Sequence, residues 1–173
     1  MNNAGIQHVA PVEAFAPEQW DRVLALNLTA AFDAARLVLP GMRRAGWGRI
    51  ITVASVHGLV GSPHKAAYVA AKHGVVGLTK VLGLECAASG VAASAICPGW
   101  VRTPLVEAQI AARAKESGRT IEQETEALLG EKMPSKQFVE VDDLGDTAVF
   151  LCSDAARQIN GSCIIMDGGW TAQ

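Results

Sequence analysis

The chain has 173 residues, half of them hydrophobic and only 5% aromatic, with a formal net charge of −2. That is one domain's worth of chain, long enough to bury a core, and its near-neutral charge excludes a strongly basic surface, so neither nucleic acid nor an anionic membrane is expected as a partner. The N-terminus "MNNAGIQHVAPVEAF" has neither the basic nor the apolar region of a signal peptide, and no run of about 18 uncharged apolar residues reads as a membrane span. A soluble, cytoplasmic protein is expected.

"APEQWDRVLALNLTAAFDAARLVLPGMRRAGWG" is predicted as a long helix from about Pro17. Trp20, Val23, Leu24, Leu28, Phe32 and Ala35 recur at the spacing of a buried face. Glu18 and Asp21 near its start and Arg43 and Arg44 near its end suit the helix dipole. "GRIITVAS" is a short β-branched run, a buried strand ending at Ser55. After the loop "VHGLVGSPHK" comes a helix carrying Tyr68 and Lys72 and ending near Gly90. "VAASAICPGW" is a second apolar strand, stopped by Pro98 and Gly99. From Thr103 to about Ser135 the chain is more polar and helical, with a break at Gly118. "EVDDLGDTAVFLCSDAA" is a short helix with acids at its start, and "GSCIIMDGGW" is a strand and a glycine turn.

This alternation predicts an α/β fold, a parallel sheet with helices on both faces. Ligands in such sheets bind beyond the carboxyl ends of the strands, here "NNAG", Ser55, "PGWVRT" and "DGG". The four cysteines, Cys86, Cys97, Cys152 and Cys163, lie in apolar settings with no C-x-x-C pair and no histidine at ligand spacing. They read as reduced, buried thiols rather than metal ligands.

Tyr68, the chain's one tyrosine, and Lys72 stand one helical turn apart on a shared face. An ammonium beside a phenol lowers its pKa from about 10, which makes Tyr68 a base near neutral pH. Y-x-x-x-K by itself is weak, and a packed tyrosine beside a surface lysine fits it too. Ser55 adds a hydroxyl that the strand–loop–helix path brings to the same sheet edge. Asn27, inside an apolar helix, needs a hydrogen-bond partner; a structural backbone bond satisfies that need as well as a catalytic role does.

"NNAG", the Asn of "LALNLTAAF", "VASVHG", "YVAAK" and "PGWVRTPL", in this order, resemble the short-chain dehydrogenase/reductase family over essentially the whole chain. The resemblance implies a Rossmann-type doubly wound sheet and a tetrad of Asn27, Ser55, Tyr68 and Lys72. In that scheme Tyr68 exchanges the proton of the alcohol, and Ser55 orients the reacting oxygen. Lys72 lowers the tyrosine pKa and bonds the nicotinamide ribose, while Asn27 holds a water linking Lys72 to solvent. The segments "NNAGIQH", "SVHG", "HKAAYVAAKHGVVG", "CPGWVRTPLVEAQI" and "MDGGWT" are similar to a branch that interconverts a small 3-hydroxy acid and its keto acid with NAD. That likeness implies Gln7, His57, Lys65 and Gln109 on the substrate carboxylate, with Trp100 and Trp170 as apolar walls; core packing is the other reading of Trp170. The helical stretch at about 103–135 is then a substrate lid. Asn3, Ala4 and Gly5 lie under the adenosine ribose, Pro98, Gly99 and Val101 frame the nicotinamide, and Thr103 approaches the pyrophosphate. NAD is the implied cofactor, with NADP open, and the long helices imply a homo-oligomer, a tetramer in the family.

No G-x-x-x-G-x-G or G-x-G-x-x-G run occurs in the 173 residues. The chain is therefore expected to start at the end of the family's fourth strand, as a partial domain over residues 1–173 without the first three strands. "GRIITVAS" is expected to be an apolar edge, and dinucleotide binding and activity are expected to be weak. The competing readings are a 3-oxoacyl carrier-protein reductase or a sugar-alcohol dehydrogenase and, of another class, a non-catalytic dimerising fragment.

Overall fold

A computed structural model of the chain describes residues 1–172. Three strands, β1 (Gly48–Val53), β2 (Val91–Pro98) and β3 (Ser162–Met166), form one parallel sheet in that order. Every residue of the central strand β2 is buried, as a strand paired on both edges and covered on both faces requires. The pleat sends Ile50 and Ile51 to opposite faces. Ile50 packs with Ala35, Leu39, Leu82 and Cys86 from α2 (Ala30–Ala45) and α3 (Ala66–Cys86). Ile51 packs with Ile96, Leu151 and Ala156 under α6 (Val141–Cys152). Helices thus cover both faces, as the alternation predicts.

The outer edge of β1 is met at one place. The Asn2 N–H donates to the Ile51 carbonyl at 2.8 Å, and the Val53 N–H donates to the Asn2 carbonyl at 2.8 Å. The rest of that edge pairs with no strand among the described residues.

The helix from Pro17 is present but not uniform. α1 (Pro17–Leu24) runs through a π-turn at Ala25–Thr29 into α2, which ends at the left-handed Gly46. Regular periodicity predicts no such turn. Its cause is Asn27, whose Nδ2 donates to the Val23 carbonyl (2.9 Å) and to the Ile6 carbonyl (2.8 Å), while the Ile6 N–H donates back to Oδ1 (3.3 Å). An 18-residue window within residues 17–45 is apolar enough to cross a membrane, with a mean hydropathy of 1.4. Val23, Ala31, Ala35 and Leu39 on this helix are buried in the protein instead.

Beyond β2, the polar stretch forms α4 (Pro104–Ser117) and α5 (Ile121–Gly130), separated at the left-handed Gly118. Val106, Ile110 and Leu128 pack the pair together. Glu124 is buried between them, paired with Arg113 Nε (3.2 Å) and Arg119 Nη1 (3.5 Å) and accepting from the Ser117 hydroxyl (2.8 Å). A carboxylate removed from water needs such partners, and these tie the two helices to each other.

Candidate active site

The carboxyl ends of the strands open into a cavity of about 490 Å³. Its floor carries Ser55, Tyr68 and Lys72. Ser55 follows β1 and opens a short turn, Val56–Gly58, with its hydroxyl oxygen accepting from the His57 N–H at 3.2 Å. Accepting that bond leaves the hydroxyl proton free to donate into the cavity. α3 starts just after Lys65, so Tyr68 lies in its first turn and Lys72 in its second.

Lys72 is buried and donates to the Val53 carbonyl at 2.7 Å, with Nζ 5.5 Å from the centre of the Tyr68 ring. Burial pulls its pKa down to about 8, opposed by Cys97. Burial likewise pushes the Tyr68 phenol above its ordinary value, opposed by a hydrogen bond with Ser55. The phenol is therefore shifted toward its protonated form, the direction opposite to that expected from Lys72 alone, with desolvation of the phenolate as the largest cause. Asn27 has the hydrogen-bond partners that its burial requires. Its amide is engaged by Val23 and Ile6 and pins the segment around Gly5, and the structural bond weighed against catalysis is the one present.

On the far side of the cavity stand His57, Lys65, Trp100 and Trp170, with Gln7 and Gln109 at the exposed rim. Lys65 Nζ is 3.3 Å from His57 Nε2 and 5.7 Å from the centre of the Trp100 ring. The Trp170 ring lies edge-on to His57 at 5.5 Å and tilted against Trp100 at 6.3 Å. Trp170 thus lines the cavity and also packs on the core cluster of Leu129, Met133 and Val139, so both of its readings apply. Burial, then the Lys65 charge, then His73 push the His57 pKa down to about 4, and burial also lowers Lys65. A neutral His57 that accepts from Lys65 at Nε2 must carry its proton on Nδ1. That Nδ1, like Trp100 Nε1, is buried with no partner.

The His57 shift has a consequence for stability. Its folded pKa lies below its unfolded value of about 6.5, so the stability it confers is complete above pH 6.5 and is lost as pH falls through 4. His57→Gln is expected to remove a contribution on the order of 2 kcal/mol from the difference in unfolding free energy between pH 7 and pH 4. Urea denaturation across that window checks it.

Asn3, Gly5, Pro98, Gly99, Val101 and Thr103 line the same cavity. A Cβ at Gly5 would fall 2.7 Å from Asn27 Oδ1 and 3.9 Å from Lys72 Nζ, so glycine keeps the approach to Lys72 open. The Val101–Val139 bridge uses the Trp100 carbonyl and the Arg102 N–H, which turns the N–H and C=O of Val101 away from that pairing. These residues fit the flat, amide-bearing nicotinamide and its ribose. The Thr103 hydroxyl caps α4, accepting from the Val106 N–H at 3.3 Å, and the start of that helix favours an anion beside it. Ala4 is set apart, in a smaller groove of about 190 Å³ with Asn27 and Thr52. Sequence reasoning overlooked Leu105 and Val106, which add apolar lining, and Asp167, a buried carboxylate beneath Trp170. An apolar pair after a proline gives no signal of its own, and "DGG" reads simply as a turn.

A sequence model described as enoyl-(acyl carrier protein) reductase, of the short-chain dehydrogenase type, matches residues 1–171. The D-beta-hydroxybutyrate dehydrogenase of Cupriavidus necator is 61% identical over 173 residues, which is all of this chain and 67% of that protein. A structure of a 4-hydroxyisoleucine dehydrogenase mutant complexed with NADH and succinate superposes with a TM-score of 0.88 at 32% identity, covering 99% of this chain and 67% of that one. One described as an NAD(P)-dependent gluconate 5-dehydrogenase from Beutenbergia cavernae, with bound NADP, superposes with a TM-score of 0.86 at 38% identity, covering 99% and 65%. With the ordered motifs, the parallel sheet and the Ser55–Tyr68–Lys72 floor, these likenesses make the chain a member of the short-chain dehydrogenase/reductase family.

Proposed function

We propose that the chain carries the substrate half of an oxidoreductase that interconverts D-3-hydroxybutyrate and acetoacetate with NAD. The observation that carries this reading is the Lys65 ammonium, which lines the cavity beside the His57 and Trp100 rings. A small carboxylate supplies acceptor oxygens and a charge opposite Lys65, whereas a long acyl thioester or a neutral polyol brings no such charge.

When bound, the dinucleotide supplies or accepts the hydride and, in its oxidised form, adds a positive charge beside Tyr68. The residues of the chain do the rest. Lys65, His57 and Trp100 hold the acid, with Gln7 and Gln109 at the rim. The Ser55 hydroxyl donates to the reacting oxygen. Tyr68, protonated at neutral pH, gives its proton to the ketone in reduction and takes it back in oxidation. Lys72, fixed on the Val53 carbonyl, keeps a cation beneath that exchange. No residue of the cavity singles out the ribose 2′-position, so NADP fits this half as well as NAD. The helices α4 and α5 act as the lid in this scheme. Phe32 and Leu37 on α2 and Val81 and Leu84 on α3 are exposed apolar residues, and we assign these two helices to self-association, while the four free cysteines suit a reducing cytoplasm.

Titration of the chain with D-3-hydroxybutyrate, followed by tryptophan fluorescence, tests the reading. Saturable binding is expected, weakened at least about tenfold by Lys65→Ala. Tighter binding of a 3-oxoacyl thioester or a polyol would move the chain to another branch of the family. Binding of none of these compounds would favour the reading as a non-catalytic self-associating fragment.

A further inference from the structure

We infer that Asp167 is the positioning residue of the acid pocket: it fixes the Trp170 indole and so sets the length of acid that the pocket accepts. The inference rests on the hydroxy-acid reading above. Asp167 directly follows β3 and is 7% exposed. Among the described residues no cation lies within ion-pair distance of it. Its carboxylate is satisfied by its own turn instead. The Gly169 N–H donates to Oδ1 at 2.9 Å, and the Thr171 N–H and hydroxyl donate to Oδ2 at 2.8 and 2.6 Å. Burial works against its ionisation, but the donors from Thr171, Gly169 and Trp170 overcome it and hold the acid below its ordinary range.

Burying a charge without a counter-ion is expensive, and a simple turn does not need one. What this turn carries is Trp170, the only side chain between Gly168 and Ala172 that lines the cavity. Its main chain is held by the Trp170 N–H on the Asp167 carbonyl (3.2 Å) and by the Ser135 N–H on the Gly168 carbonyl (3.0 Å). Gly168 and Gly169 take φ values of 59° and 92°, a path that the latch must hold because glycine gives it no preference of its own. The indole so placed meets His57 edge-on and Trp100 at a tilt, the two residues that line the cavity beside Lys65. A loosened indole lengthens the pocket behind them.

The full chain carries the test, with Asp167→Asn, which keeps one acceptor but loses the charge, and Thr171→Val, which removes one donor and spares the fold if the first variant does not fold. Without any ligand, the NMR shifts of the His57 ring protons, assigned by His57→Gln, are expected to move in both variants. In fluorescence titrations, the ratio of the dissociation constant for D-3-hydroxybutyrate to that for D-3-hydroxyhexanoate is expected to rise at least tenfold. A lower melting temperature with unchanged His57 shifts and an unchanged ratio means that Asp167 is merely structural, which overturns the inference. If the unsubstituted chain binds neither acid while the His57 shifts still move in the variants, the functional reading fails and the Asp167–Trp170 link stands. Unmoved His57 shifts overturn the link whatever the acids do.

Discussion

Tyr68→Phe is expected to slow acetoacetate reduction by about 10³- to 10⁴-fold, the upper part of the range for removing a positioned general acid. The phenol is the one acidic group on the cavity floor, next to Ser55 and above Lys72, and phenylalanine keeps its shape while removing the proton. Single-turnover reduction by NADH, at cofactor concentrations high enough to load the chain, is the measurement. The dissociation constant for D-3-hydroxybutyrate should change less than about threefold, because the residues that hold its carboxylate, Lys65, His57 and Trp100, are untouched. A loss of rate below tenfold would remove Tyr68 from the acid's role. The raised phenol pKa also gives the two directions different pH profiles. Reduction uses the protonated phenol, which persists through the neutral range, so its rate should stay level there. Oxidation needs the phenolate, so its rate should climb as pH rises.

The second large effect concerns the dinucleotide. The chain is expected to bind NADH at least about 100-fold more weakly than the 4-hydroxyisoleucine dehydrogenase whose structure is complexed with NADH does. Gly5, Gly99 and Val101 offer the nicotinamide half a surface, but no glycine-rich turn in the 173 residues presents backbone N–H groups to the pyrophosphate. Two such charge-assisted bonds, at about 1.5 kcal/mol each, already correspond to roughly a hundredfold in affinity. Calorimetric titration checks this, and reduced nicotinamide mononucleotide supplies the control. If the nicotinamide half carries the binding, the mononucleotide should match NADH to within about threefold. An NADH affinity within tenfold of the relative's would show that other residues receive the phosphates.

The sheet and its helices were legible because their signals are local. "GRIITVAS" and "VAASAICPGW" are apolar runs of strand length, and Gly46 and Gly118 stand where the helices end. The site was legible as a set of motifs in order, and most of those residues do line one cavity. What the sequence withheld depends on burial and on partners distant in the chain. The Tyr68 pKa follows from how much water the phenol loses, which the i, i+4 spacing to Lys72 does not reveal. The partner of the Asn27 amide, Ile6, lies 21 positions away, so the spacing around Asn27 does not reveal it. Glu124 read as one acid of a polar stretch, although two arginines and a serine enclose it. Asp167 was hidden for a related reason: its partners are its own next residues, and a sequence of that kind looks like any turn.

The π-turn at Ala25–Thr29 links the segment around Gly5 to the helix α2. Val23, Asn27, Ala31, Ala35 and Leu39 are buried at every fourth position. An unbroken α-helix rotates by about 400° over four residues, so a stripe with that spacing would drift about 40° at each step and wind off the sheet. One wider turn takes back part of the rotation. The phase of α2, and with it the direction in which Phe32 and Leu37 face outward, is therefore set at the residue that pins the Gly5 segment beneath the cavity. Loss of the Asn27 amide is therefore expected to turn α2 about its axis as it loosens the floor of the site.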